Sequence, residues 1–471
     1  MVGAGAVGMT LAGRLAQHGV SVAVFERAAR PERIGSRAIC MQRETLEIWA
    51  RLGIGERVAA RGVQWTVGRT YLRGRQLFET RLPADGEHVP PFVNISQSEV
   101  EEMLVARLAE LGVPIVGGHR LDVLAQAADG VTATFETDAG AVTHRCAYLV
   151  GADGAHSSVR HALGIGFDGF TFDDRFLIAD VRAALPFSRE RHFHFDPPWN
   201  PGRQVLIHPQ PDGVWRIDWQ VPPGTDPEAE RETGALDRRI RHVIGGATPY
   251  TLEWVTGYRF SQRVAERFRF GRAFLAGDAA HVMAPFGARG LNSGVPDAEN
   301  LAWRLAWVLR HAAPSEILDG YEAERRTAAL ENLAATEATM RFMAPHGPVR
   351  RAWRDLVLRM APRSAWFRRR VNSGRLAEPA TYAAPPGPDT TTARHGSVAP
   401  DAPLPEGGRL RDHLGRGFAI VAPRIVEHEL PVITVPAGTP YGTERAWLVR
   451  PDGYLVDSRP LASAEALRPF A

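Results

Sequence analysis

The sequence predicts an α/β protein organised around a Rossmann-type dinucleotide-binding domain, and three observations carry that expectation. A glycine-rich turn, Gly3-Ala4-Gly5-Ala6-Val7-Gly8, opens a helical pattern and is followed by a β-branched run ending in an acid, Glu26. Two later blocks, residues 149–160 and 274–294, each run from an apolar strand through a glycine-and-aspartate turn into a helix. The chain of 471 residues has room for two or three domains with a sizeable core.

In the first block, Met9, Leu11, Ala12, Leu15 and Ala16 keep helical spacing, Gly19 is the expected stop, and Val20–Phe25 reads as a strand. A GxGxxG alone is weak evidence. Here it opens a helix, and Glu26 follows Gly3 at close to the fingerprint spacing of about 20 residues. Gly3 permits the tight turn, Gly5 lets the backbone approach a pyrophosphate, and Gly8 lets the helix pack close to the sheet. The helix start at Ala6 and Val7 offers free N–H groups and a positive dipole end to phosphates. Glu26, with Arg27 beside it, is the expected contact to a ribose. Only Met1-Val2 precede the first glycine, where a central parallel strand normally supplies about five or six apolar residues. The expectation is a start placed too far downstream or missing leading residues.

Further along, residues 41–60 and 97–111 read as helices, and 171–222 as strand-rich with turns at Pro197-Pro198 and Pro211-Asp212-Gly213. Helical patterns dominate from Asp297 to about Arg370. A proline-rich stretch, 383–408, reads as a linker before a small α/β tail containing residues 417–421 and 446–450. The two cysteines, Cys40 and Cys146, form no CxxC pair, which argues against a disulfide scaffold, a Cys-rich zinc site and a dithiol redox centre. The chain contains no lysine, so Schiff-base chemistry, pyridoxal phosphate and a GxxxxGK[ST] loop are excluded. Net charge is only +3 with arginines and acids interspersed, and the basic tract 363–370 reads as a solvated helix face rather than a nucleic-acid site. No apolar run approaches the roughly 18 residues of a membrane span. Neither nucleic acid nor membrane is an expected partner, and the expected location is cytoplasmic. His192-Phe193-His194 could hint at a metal, yet strand alternation and nearby aromatics favour packing, and no metal ligand set is assigned.

Taken together, the GxGxxG turn, the Leu149–Arg160 block (LVGADGAHSSVR) and the Phe274–Gly294 block (FLAGDAAHVMAPFGARGLNSG) resemble the class A flavoprotein aromatic hydroxylases of the para-hydroxybenzoate hydroxylase type. The tail, through Pro400-Asp401, Leu410–Leu414 and Arg450–Tyr454, resembles more weakly the thioredoxin-like domain of the phenol hydroxylase and 3-(3-hydroxyphenyl)propionate hydroxylase branch. The resemblance implies a Rossmann-type FAD-binding domain, an inserted β-sheet substrate domain and a thioredoxin-like C-terminal domain. Residues 1–170 and 266–382 would form the two FAD-binding parts, the second with a helical region. The substrate domain would be 171–265, the linker 383–408 and the tail 409–471. The tail lacks CxxC, so packing or a homodimer contact is its implied role.

By the same resemblance, Gly3, Gly5, Ala6, Val7, Gly8, Glu26 and Arg27 take the FAD diphosphate and adenosine ribose. Arg37 lies near the FAD, and Gln97 touches the ribityl chain. Asp153 serves both FAD and NAD(P)H, Asp278 meets the pyrophosphate and ribityl chain, and Pro285, Gly290, Leu291 and Asn292 lie by the isoalloxazine ring. The implied reaction passes hydride from NADPH or NADH to FAD; O₂ then gives a flavin C4a-hydroperoxide that hydroxylates a small aromatic, phenolic or polyketide-like substrate. Arg37, His208, Asp218 and Pro285 are the candidates for catalysis. His208 has the side chain best poised as a base near neutral pH, against the plainer reading of a structurally bonded histidine. Alternation along the strand places Asp218 and Gln220 on one face and Trp219 on the other. The position where related phenol hydroxylases carry an aspartate base is Ile39 here. Two alternatives are a flavin-dependent halogenase, disfavoured by the missing lysine and by the tryptophan spacing of Val214–Pro222, and a flavin-carrying binding protein.

Overall fold

Val2 alone occupies the place of a central strand: it bridges Phe25 on one side and Gly151 on the other, both in parallel. In the computed structural model, which describes residues 1–29, 38–81, 89–185, 189–285, 287–345, 347–371, 378–384 and 393–470, this one residue completes a doubly wound sheet. Val24–Phe25 pairs in parallel with Ile115–Val116, and Leu149–Gly151 with Ala273–Leu275. Main-chain bonds from Val2 N to Val150 O (2.9 Å) and from Gly3 N to Phe25 O (2.8 Å) fix the register. The helix Ala6–Gln17 follows at once, burying Met9, Leu11, Ala12 and Leu15 as its spacing predicts. The expected helix over 41–60 divides into Arg43–Leu52 and Gly55–Arg61. Gly53 is the reason: at φ 96° it adopts the left-handed conformation that ends a helix. Residues 97–111 form the helix Gln97–Glu110, capped by the Ser96 side chain.

The chain divides into two units, one of Met1–Gly13, Val22–Ala298 and Ala329–Glu378, the other of Arg14–Ser21, Glu299–Ala328 and Pro379–Ala471. Besides the parallel sheet, the first unit holds an eight-stranded sheet. Its order is His281–Val282, Tyr250–Ala265, Phe167–Ala183, Val214–Val221, Gln204–Pro209, Arg191–Phe195, Val67–Leu72 and Arg75–Arg81. The last two strands and the first lie outside the 171–265 range read as the substrate domain. Val67–Leu72 joins by parallel pairing with Arg191–Phe195. One face of this sheet packs Leu177, Ala179, Val205, Ile207, Trp215, Ile217 and Trp219 under the helix Ala235–Ile244. Strand alternation then sends His208, Arg216, Asp218 and Gln220 to the opposite face, as expected for Asp218, Gln220 and Trp219.

In the second unit, a four-stranded sheet runs in the order Val432–Thr434, Ala419–Ala422, Arg445–Val449, Leu455–Pro460, the first pair parallel and the others antiparallel. Ala393, Ala399 and Ala402, from the later half of the stretch expected to be a linker, are buried against Val421, Trp447 and Tyr441 in this unit's core. Small side chains between the prolines let that segment pack closely. Among the described residues no helix is long and apolar enough to cross a membrane.

Candidate active site

The three glycine-and-aspartate blocks converge on the turn that follows Val2. A Cβ on Gly3 would strike the Ala152 carbonyl oxygen and come within 2.7 Å of the Asp153 backbone, and one on Gly8 would strike the Gly3 carbonyl. Glycine is therefore required at both. Gly5 differs: a Cβ there would meet nothing within 4 Å, so the turn is open on the side where a pyrophosphate would approach. Val7 is the hinge between blocks, since a Cβ on Gly277 would lie 3.0 Å from its side chain and one on Gly294 2.6 Å. The Glu26 carboxylate accepts hydrogen bonds from Ala4 N (2.8 Å) and Ala28 N (3.2 Å), which ties the end of the second strand to the glycine turn. Arg27 is exposed beside it.

Asp153 is held within its own block, accepting from the Ser157 hydroxyl (2.5 Å) and Val159 N (3.2 Å). Burial pushes its carboxyl above the ordinary range, and those two donors pull part of the way back. Asp278 stands exposed on the short helical turn Gly277–Ala279. Two connections beneath it escaped sequence reasoning. Arg160 is buried and donates to Ala279 O (3.0 Å) and Ala155 O (2.8 Å), so it clamps the second block to the third. Asp297, wholly buried, accepts from Gly277 N (3.0 Å) and contacts His281 Nε2 (2.7 Å). An acid on the apolar face of the helix Arg289–Arg310 was the available signal for that pair.

Around the start of that helix, the Asn292 side chain is consumed in fastening the strand Cys40–Gln42. It donates to Cys40 O (2.8 Å) and Ala288 O (2.6 Å) and accepts from Gln42 N (2.9 Å) and the Thr45 hydroxyl (2.8 Å). Gly290 is open, since a Cβ there would meet nothing within 4 Å, and Leu291 is half-buried. Pro285 is exposed and accepts from Ala288 N (2.8 Å) in a turn. Gln97 brackets Ala38 by two bonds, Ala38 N to Gln97 Oε1 (3.2 Å) and Gln97 N to Ala38 O (3.0 Å). Arg37 lies outside the described residues.

Cys40 leads from this loop to the eight-stranded sheet. It packs with Trp65 and Phe92, with Ala288 against them. Trp65 donates to Asn94 Oδ1 (3.0 Å), and Asn94 donates to Pro209 O (2.9 Å), next to His208. On the sheet, His208 pairs across strands with Arg216, and Arg216 with Asp180. Arg216 and Asp180 form a buried bidentate ion pair (2.8 and 2.7 Å), which Gln210 joins (3.0 Å). His208 and Asp218 are treated differently: His208 Nδ1 and Asp218 Oδ1 are buried and without a hydrogen-bond partner among the described residues. Burial, reinforced by Arg191 and Arg216, holds His208 well below its ordinary value, so the ring is neutral near pH 7. Burial pushes Asp218 up to about 7 against the pull of Arg216. The group matched to proton transfer near neutrality is thus Asp218, where the sequence pointed first to His208. His192 and His194 lie on the opposite face, stacked on Tyr71 at ring distances of 5.8 and 4.3 Å.

A doubly wound dinucleotide fold whose three glycine-and-aspartate blocks converge on one turn defines a flavin-binding oxidoreductase fold. The chain belongs to the family described as FAD binding domain, which matches residues 1–336, and FAD is the cofactor its open glycine turn fits. It is 37% identical over 354 residues to the 6-methylpretetramide 4-monooxygenase of Streptomyces rimosus, covering 73% of this chain and 62% of that protein. It thus spans about three fifths of that relative's length. A flavin-dependent monooxygenase of Mycobacteroides abscessus is 32% identical over 97% of this chain and 95% of its own. Among solved structures, anhydrotetracycline hydroxylase from Streptomyces rimosus superposes with a TM-score of 0.78 at 27% identity, covering 99% of this chain and 96% of that one.

Proposed function

We propose that the protein is an NAD(P)H-dependent flavoprotein monooxygenase that hydroxylates an aromatic, phenolic or polyketide-like substrate. The observation that carries this reading is the convergence of the three blocks on the Gly3–Val7 turn, with an unsatisfied polar cluster on the adjoining sheet face. Gly3, Gly5, Ala6, Val7 and Gly8 would hold the diphosphate and Glu26 the adenosine ribose. Asp278, Gln97, Pro285 and the amides of Gly290–Asn292 would hold the rest. Bound FAD supplies hydride acceptance from NAD(P)H and activation of O₂. The chain's own residues then position the ring and manage its proton. Trp65 and Phe92, stacked at 5.1 Å, wall one side and exclude water. Asp218 would take the phenolic proton, which raises the nucleophilicity of the ring carbon to be oxygenated. His208, neutral, would accept or donate one hydrogen bond at the same oxygen.

The domain reading follows. Residues 1–170 and 266–382 would carry the cofactor, and 171–265 would roof the substrate. The four-stranded sheet of the tail supports a thioredoxin-like domain that acts in packing, since no CxxC is present.

Anaerobic titration with NADH and NADPH tests the reading. Purified protein should carry a flavin absorbance that bleaches on reduction, faster with phenolic aromatics present, and in air the product should gain one oxygen atom. Protein that carries no flavin, or whose NAD(P)H oxidation stays at background with every aromatic offered, would overturn it.

A further inference from the structure

Arg191 is a cation on this sheet face that has no anion among the described residues. It stands on the strand Arg191–Phe195, paired in register with Gly68 and one strand from the His208–Arg216 pair. Arg216, on the same face, is neutralised by Asp180 at 2.7 Å. Arg191 makes no ion pair and no hydrogen bond among the described residues, and its buried Nε has no partner. Its guanidinium instead faces aromatic rings, Phe193 at 5.6 Å and Trp65 at 6.0 Å. Such rings hold a guanidinium by cation–π attraction without quenching its charge. Burial disfavours the charged form, and Cys40 and Asp218 are the neighbours that favour it. Neither cancels it near neutrality: burial pushes the Cys40 thiol up to about 12, and Asp218 is half-protonated near pH 7.

A buried cation without a counter-charge is costly unless something supplies one. Here the surroundings are one indole face, one phenyl face, a neutral imidazole and a half-protonated carboxyl. The missing partner is an oxyanion carried on a flat aromatic body.

We infer that Arg191 is a specificity-determining residue, which selects substrates presenting an anionic oxygen (a carboxylate, or an ionised phenol or enol) to its guanidinium fork while their rings lie against Trp65. This rests on the hydroxylase reading and narrows its substrate class. An arginine suits the task because it pairs with a carboxylate or enolate through two parallel N–H bonds.

The test uses oxidised holoenzyme and two probes of one shape, 2-naphthoate and 2-naphthamide, with binding read from perturbation of the flavin spectrum. The wild type should bind the naphthoate at least about 10-fold more tightly, since a charge-assisted hydrogen bond contributes roughly twice a neutral one. In Arg191→Gln that preference should vanish with flavin content and the KM for NAD(P)H unchanged, while Arg191→Lys keeps part of it. Equal binding of the two probes by the wild type would overturn the inference. So would an undiminished preference in Arg191→Gln, or an effect confined to the KM for NAD(P)H. Protein devoid of flavin would fail the hydroxylase reading itself, which the spectrum reports before any probe is added.

Discussion

In the second unit, the Arg450 guanidinium has a partner at every nitrogen: Nε donates to Asp452 (3.0 Å), Nη1 to Glu324 (2.6 Å), and Nη2 to both carboxylates (3.0 and 2.7 Å). Trp303 Nε1 donates to Asp452 (3.0 Å), and Glu324 also takes Asn300 (2.7 Å) and Arg304 (2.8 Å). The rings of Trp303, Tyr382 and Tyr454 frame the cation at 5.3 to 5.4 Å. In the first unit, Arg191 faces the rings of Trp65 and Phe193 and makes no ion pair among the described residues, and His208 and Asp218 beside it present unpartnered atoms. The two clusters use the same residue types at similar burial. The carboxylates show the difference best. Arg450 and Arg304 outweigh burial and hold Glu324 at about 2, whereas burial outweighs Arg216 and lifts Asp218 to about 7. The Arg450 cluster reads as architecture, and the unpartnered atoms beside Arg191 mark the face where we propose that a ligand binds.

The largest expected effect breaks the satisfied cluster. Glu324→Ala removes the carboxylate that two buried arginines share and should lower unfolding free energy by about 3–5 kcal/mol, read as a fall in the denaturant midpoint at constant slope. The pH dependence has a definite sign. A carboxyl depressed from 4.5 to about 2 stabilises the fold fully above pH 4.5, and the contribution is lost as pH falls toward 2. Glu324→Gln should therefore show a flatter acid limb than the wild type. Wild-type stability in Glu324→Ala would erase the contrast between the clusters.

Asp218 should behave in the opposite sense. Its carboxyl is raised from 3.8 to about 7, so between those values the native state keeps a proton that the unfolded chain has lost. The penalty for ionising it grows as pH rises and is complete above 7. Asp218→Asn should match the wild type at pH 4 and exceed it by about 4 kcal/mol at pH 8. Turnover should fall about 100-fold and lose its rise with pH through 7. A variant less stable at pH 8 than at pH 4, relative to wild type, would place Asp218 among the architectural acids.

How much of this was visible beforehand depends on what enforces each residue. Gly3 and Gly8 are enforced by backbone contacts that any side chain would violate, so their spacing reads directly from the chain, and Gly53 ends its helix for a similarly local reason. Alternation along Val214–Val221 was enough to set Asp218 against Trp219. Arg191 was illegible, because its meaning is the absence of a partner. That absence depends on Val67–Leu72 pairing with Arg191–Phe195 from more than a hundred residues away. The role of Arg160 was not legible because its acceptor, Ala279 O, belongs to a different block. In the tail, Arg450-Pro451-Asp452-Gly453-Tyr454 was recognisable as a motif, but Glu324, which completes it, lies on a distant helix and carries no pattern of its own.

The smallest expected effect is also the most discriminating. His208 is buried and held neutral, and its Nδ1 bonds to nothing in the described structure. Replacing it with glutamine removes no native hydrogen bond from that atom and substitutes a side chain of comparable reach. Stability should change by less than about 1 kcal/mol. If His208 orients the substrate oxygen, turnover should drop about 10-fold, the cost of roughly one hydrogen bond in the transition state, with the pH profile still governed by Asp218. A loss of several kcal/mol in stability would mean that His208 belongs with Arg450 and Glu324. Unchanged turnover would remove His208 from the groups proposed to touch the reacting ring.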